Sequence, residues 1–176
     1  KYDDEWFTLD PSEDAPCSKI ADFTQGSFDD YDTVFDFGKG KEVVSIEIEH
    51  VNVDALYELR ECGIKVIPSP EIIQTIQQKI LQKEFYNKHE IPSPDFQIIQ
   101  HKSEVNFPLK KKKKMNTGGY DGKGVQVIKG EEDLKHLWDV PSVLESLVDI
   151  EKELSIIVAK NESGETKTFP VTEMVA

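Results

Sequence analysis

Residues 43–88 run strand, helix, strand, helix with few residues at each join, and that alternation limits the fold more than any other feature. "EVVSIEIE" is apolar at Val43, Val44, Ile46 and Ile48 and reads as a strand. "NVDALYELRECG" reads as a helix with Asn52 as its cap, Val53, Leu56 and Leu59 on its apolar face and Gly63 at its C-terminal end. "KVIP" is a second buried strand. "SPEIIQTIQQKILQKEFYNKHE" is a second helix, opened by Ser69 at the cap and Pro70 at the first helical position, and broken before Pro92. Two strands joined through a helix lie parallel in one sheet, because a tight turn cannot connect them.

Upstream, "WFTLDP" looks like the end of a strand and "DDYDTVFDFG" like a short helix stopped at Gly38. Beyond "IPSPDF" the character changes to strands and turns. "DFQIIQ", a lysine-rich segment and "GVQVIKG" are followed by a helix near "EEDLKHLWD" and then "SVLESLV", "ELSIIVAKN" and "TKTFPVTEMV". The turn signal "NESGE" makes the last two an antiparallel pair. A domain boundary falls near Ile91 to Asp95, separating an α/β half from an α+β half.

A chain of 176 residues suits one good-sized domain or two small ones. No apolar run approaches the roughly 18 residues of a membrane span, and "KYDDEWFTLD" is charged from its first residue, unlike a secretory signal. The first residue is not methionine and the last follows a strand-like run, which reads as a piece of a longer polypeptide. The net charge is −13, and residues 1–50 carry most of it, with 14 acids against 4 lysines. Such a surface repels nucleic acid and anionic membrane. Cys17 and Cys62 match no metal or redox spacing and read as free thiols in a reducing cytosol.

The segment of chemical interest is "TGGYDGKGV", residues 117–125, just after the lysine run Lys110 to Lys114. A Walker loop would place Ser or Thr after its lysine, but Gly124 follows Lys123. A dinucleotide fingerprint would open a helix, but "GVQVIKG" reads as a strand. The segment is therefore a glycine-rich connection between two strands. Its "DG" alone would justify a hairpin turn, whereas four glycines suit a flap whose amides approach phosphate closely. Within the run, Lys110, Lys112 and Lys114 share one side of a strand. At least one can point at a phosphate while the others stay in water. A solvated basic face is the plain alternative, as it is for Lys79 and Lys83, four apart on one helical face.

With these residues in hand, the chain resembles the N5-carboxyaminoimidazole ribonucleotide synthase family, ATP-grasp carboxylating enzymes of purine biosynthesis. The resemblance is carried by "GGYDGKG" and by "VLESLVDIEKELSIIVAKNESGETKTFPVTE", with "LDP", "ADF", "SIEIEHV" and "PSPEIIQTIQQKILQKEF" in register. It implies a Rossmann-like parallel α/β domain, incomplete, over residues 1–91. A central ATP-grasp lid domain over 92–150 and the start of the C-terminal ATP-grasp domain over 151–176 would follow. It further implies ATP-dependent carboxylation of 5-aminoimidazole ribonucleotide with bicarbonate, through carboxyphosphate, by a cytoplasmic and commonly dimeric ligase using Mg²⁺.

By position, the resemblance puts Lys79 and Lys114 at the ATP phosphates, Glu145 and Val148 at the adenine, and Glu153 at the ribose hydroxyls. Gly118, Gly119, Gly122, Lys123 and Gly124 fall in the lid, with Tyr120 and Asp121 facing bicarbonate and substrate as the catalytic pair. For Glu145 and Glu153, residue type alone suggests solvated strand carboxylates. The family's opening glycine-rich element, its Mg²⁺ carboxylate and asparagine, and its basic residues for the ribonucleotide phosphate have no counterpart here. Ala176 stands near a position where some members have histidine. "NFPLKKKKK" replaces a strand that is usually apolar. Related ligases acting on glycinamide ribonucleotide or biotin, and an inactive nucleotide-binding module, are the competing readings.

Overall fold

Two parallel strand pairs make the first half. The structure, a computed structural model, describes residues 5–106, 111–117 and 124–175. Strand β1 (Phe7–Asp10) pairs with β2 (Asp22–Gln25), and β3 (Val43–Ser45) with β4 (Lys65–Ile67), both in parallel. Helix α1 (Tyr31–Gly38) leads from one pair to the other, and α2 (Val53–Glu61) crosses between β3 and β4. This is the parallel α/β arrangement that the alternation predicts. Both helices start on the caps their sequences supply. Asp30 accepts from the Thr33 amide at 2.8 Å, and Asn52 Oδ1 accepts from the Ala55 amide at 3.0 Å. Gly38 lets α1 approach α2, since a Cβ there would lie 2.4 Å from Leu59 Cδ1.

The core of this half is Val34, Val44, Val51, Ala55, Leu56, Leu59, Ile64, Val66 and Ile73. Strand β3 is shorter than "EVVSIEIE" suggests, and Val43 and Ile48 are exposed rather than buried. Ile46 still bonds Ile67, but residues 47–51 bend away to bring Asn52 to the start of α2. The facing edges of β1 and β3 share no sheet bonds. An apolar cavity of about 370 Å³, lined by Phe7, Leu9, Val34, Val44 and Ile46 among others, lies between the strands.

The long helix expected from Pro70 to before Pro92 is two helices, α3 (Pro70–Gln77) and α4 (Lys79–Lys88). Gln78 between them is extended, at φ −108° and ψ 109°. An outside partner explains the break: the Lys79 and Ile80 amides donate to the carbonyl and side-chain oxygens of Asn116, both at 2.9 Å. The first amides of α4 thus find acceptors across the fold instead of in the preceding turn. Ser69 stands at the start of α3, but its side chain makes no cap bond; its carbonyl accepts from Ile72.

The second half is an antiparallel sheet in the order β5 (Phe96–Ile99), β8 (Ser142–Ser146), β6 (Lys111–Met115), β7 (Val125–Ile128). One face packs on Ile99, Val105, Ile128, Leu137 and Leu144. The helix expected near "EEDLKHLWD" is a 3-10 stretch, Glu131–His136, in which the Asp133 carboxylate accepts from the Lys129 and Gly130 amides. Four short strands follow: β9 (Glu153–Ser155), β10 (Val158–Lys160), β11 (Thr166–Thr168) and β12 (Thr172–Met174). They form one antiparallel hairpin folded at "NESGE", with β10 on β11 and β9 on β12. Gly164 in the turn has φ +87°, a conformation that glycine adopts without strain. Among the described residues no helix is long and apolar enough to cross a membrane.

Candidate functional site

Alternation along β6 sorts the lysine run. Lys112 stands opposite Glu145 of β8, and Lys113 opposite Leu144. Lys112 and Lys114 therefore share a face with Glu145, while Lys113 turns to the opposite, apolar face. Lys113 is fully buried there, and its ammonium donates to the Trp138 carbonyl. The expectation that the lysines not facing phosphate stay in water fails for Lys113. Pairing on both sides of β6 leaves alternate residues no choice of face. Lys110 lies outside the described residues.

On the polar face, Glu145 is clamped between two lysines. Lys83 Nζ stands 2.6 Å from Oε1, and Lys114 Nζ stands 2.7 Å from Oε2. Glu145 and Lys83 are 4% and 6% exposed, whereas the Lys114 side chain keeps 34% of its surface. The carboxylate of Glu145 is thus no solvated strand residue. Its strand is flanked by β5 and β6, with Phe96 opposite it on one side and Lys112 on the other. The Lys83 ammonium also donates to Ser93 Oγ and lies 5.8 Å and 5.6 Å from the ring centroids of Tyr86 and Phe96. It meets Oε1 off the direction of a hydrogen bond, so that contact is ionic.

Burial by itself pushes the Glu145 carboxyl up, but the close ammonium groups of Lys114 and Lys83 outweigh it and hold the group below its ordinary value. For Lys113, burial pushes the ammonium down; the nearby Asp139 charge opposes this and Lys102 adds to it.

The other predicted residues are spread around this cluster. Lys79 begins α4, whose first amides are held by Asn116, two residues past Lys114. Gly124 has φ +76°, and its carbonyl accepts from the Met115 amide at 3.0 Å, closing the β6–β7 connection. Gly118, Gly119, Tyr120, Asp121, Gly122 and Lys123 lie outside the described residues, as does Ala176. Val148 is exposed just beyond β8. Glu153 is exposed on β9 opposite Met174. The structure therefore brings Lys114, Glu145 and the start of α4 together, and shows no contact of Val148 or Glu153 with them.

Lys83 is the residue that sequence reasoning missed. A signal existed: it stands three residues from both Ile80 and Tyr86, on the stripe that α4 turns inward. Among the described residues no group of three His, Cys, Asp or Glu side chains could hold a metal ion.

A parallel α/β half, followed by an antiparallel sheet that clamps a buried carboxylate between lysines beside a glycine-rich connection, defines a two-part α/β protein of the grasp type. The ribonucleotide synthetase preATP-grasp domain model matches residues 1–77, and the ATP-grasp domain model matches residues 84–176. The chain belongs to the ATP-grasp family.

Its fold is that of N5-carboxyaminoimidazole ribonucleotide synthetase from Thermotoga maritima. That structure has 37% identity and a TM-score of 0.84 over 96% of this chain and 46% of the other. The N5-carboxyaminoimidazole synthase of Aspergillus clavatus, solved with ADP and 5-aminoimidazole ribonucleotide, is 27% identical. Its TM-score is 0.80, over 96% of this chain and 46% of that one. The curated N5-carboxyaminoimidazole ribonucleotide synthase of Synechococcus elongatus is 30% identical over 93% of this chain and 44% of its own. The chain spans less than half the length of these relatives.

Proposed function

We propose that the chain is the nucleotide-handling part of an ATP-dependent carbon–nitrogen ligase of purine biosynthesis. The ligase would carboxylate 5-aminoimidazole ribonucleotide with bicarbonate, giving N5-carboxyaminoimidazole ribonucleotide, ADP and phosphate. The supporting observation is the Lys83–Glu145–Lys114 cluster, formed where α4 meets the sheet whose strands flank the glycine-rich segment, in a chain whose relatives are named for this product. A bicarbonate oxygen attacks the γ-phosphorus, and the bond from phosphorus to the ADP oxygen breaks. The substrate amine then attacks the carboxyl carbon of carboxyphosphate, phosphate leaves, and the amine loses a proton.

In this reading Lys79 and Lys114 neutralise phosphate charge, a role that needs donors fixed before the charge moves. The backbone at Glu145 and Val148 meets the adenine edge, since the Glu145 carboxylate is engaged by Lys83 and Lys114, and Glu153 takes the ribose hydroxyls. Amides of Gly118, Gly119, Gly122 and Gly124, with Lys123, close over the phosphates and keep water from the labile intermediate. Tyr120 and Asp121 face bicarbonate and the ribonucleotide. Mg²⁺ would offset triphosphate charge, with its ligands expected outside this chain. The units are residues 1–91, 92–150 and 151–176, in a cytoplasmic homodimer.

The test is ADP release by the purified natural gene product. Release should require both 5-aminoimidazole ribonucleotide and bicarbonate. Release indifferent to that ribonucleotide, or driven instead by glycinamide ribonucleotide or biotin, would refute the assignment.

A further inference from the structure

Two ammonium groups on one carboxylate leave a cluster of net charge +1, and the place where that charge meets solvent decides what it can bind. Lys83 and Glu145 are at most 6% exposed, while the Lys114 side chain is 34% exposed. Lys114 is therefore the member that can reach a ligand. Alone with Glu145 at 2.7 Å, it would form a neutral pair with little attraction for an anion. Lys83 changes that balance, because it holds Oε1 from the inner side and is itself fixed by Ser93 and two aromatic rings.

We propose that Lys83 is a positioning residue for phosphate recognition: it fixes Glu145 and offsets its charge, so that Glu145 aligns Lys114 without cancelling it. This rests on the nucleotide reading above. Lys83 touches no ligand in this scheme. Its effect belongs to the phosphates and is absent from the nucleoside.

The natural gene product is titrated calorimetrically with a non-hydrolysable ATP analogue and, separately, with adenosine. Lys83→Met should weaken the analogue about tenfold or more and leave adenosine within about twofold, the size of a lost charge-assisted contact. Lys83→Met could also destabilise the fold by leaving Glu145 less balanced, so a second variant removes both charges. Lys83→Met with Glu145→Gln leaves Lys114 as a lone cation and should restore the ratio of analogue to adenosine affinity. Lys83→Met in a Lys114→Met background should leave that ratio unchanged. Equal losses for analogue and adenosine, or a ratio not restored in the double variant, would overturn the proposal while leaving the nucleotide reading intact. No binding by the unaltered protein would overturn both.

Discussion

Lys113 and Lys114 are consecutive on β6 and face opposite sides of the sheet, one with its ammonium on the Trp138 carbonyl and the other with its ammonium on Glu145. Two like residues thus meet opposite electrostatic conditions. Lys114 stands on an anionic partner, whereas Lys113 is fully buried beside Leu144.

Lys113→Met should therefore stabilise the protein at neutral pH, by about 1–3 kcal/mol, because methionine fills a similar volume without a charge to desolvate. The folded ammonium has its pKa lowered from 10.5, so between the folded value and 10.5 the unfolded chain binds more protons. Stability of the unaltered protein then rises with pH across that window and is lowest below it. Denaturant midpoints taken from neutral to alkaline pH should show this rise, and the variant should lack it. Matching slopes in both proteins would mean that Lys113 titrates as freely folded as unfolded.

Glu145 gives the opposite sign. Its folded carboxyl lies below the ordinary 4.5, so its contribution is complete above about 4.5 and is lost as pH falls through the folded value. Glu145→Gln strands two ammonium groups and should cost about 3 kcal/mol at pH 7. Melting curves of the two proteins should converge in acid, where the native carboxyl is also neutral. A gap that is constant with pH would assign the loss to packing instead.

Much of this was legible in the sequence, because periodicity and caps act locally. Asn52 caps α2 as its position suggests, and the parallel pairing of β3 and β4 follows from the helix between them. The features that were not legible depend on distant partners. The break at Gln78 arises from Asn116, thirty-six residues from the Ile80 amide it accepts. Lys83 and Lys113 read as surface residues because lysine is rarely buried without compensation. Their partners, Glu145 and the Trp138 carbonyl, become neighbours only once β8 is paired.

Asn116→Ala tests that distant cap. The Ile80 amide would lose its side-chain acceptor, while the bond from Lys79 to the residue 116 carbonyl could persist. A cost of about 1 kcal/mol is expected, as for other cap deletions. Urea titration measures it. Asn116→Asp should recover most of the loss, and a negligible effect of alanine would show that α4 starts there for other reasons.

Lys114→Ala should weaken binding of an ATP analogue by about 1.5–3 kcal/mol, whereas Lys129→Ala, on an exposed position past β7, should change it little. Calorimetric titration of both variants separates a placed ligand from a diffuse basic surface. Equal losses would favour the latter.

Glu153→Gln concerns the residue proposed for the ribose hydroxyls, which the fold places away from the lysine cluster. The residue is exposed on β9, opposite Met174 at the base of the C-terminal hairpin. An exposed strand carboxylate contributes little to stability, so the melting temperature should stay within a degree or two of the unaltered protein. A carboxylate that accepts from two ribose hydroxyls should still matter to the ligand, by about 1–2 kcal/mol for a charged acceptor. The deficit should appear with adenosine as well as with ATP, because both carry the same two hydroxyls, and it should shrink with 2′-deoxyadenosine. Loss of stability with nucleotide affinity intact would make Glu153 a structural residue of the hairpin.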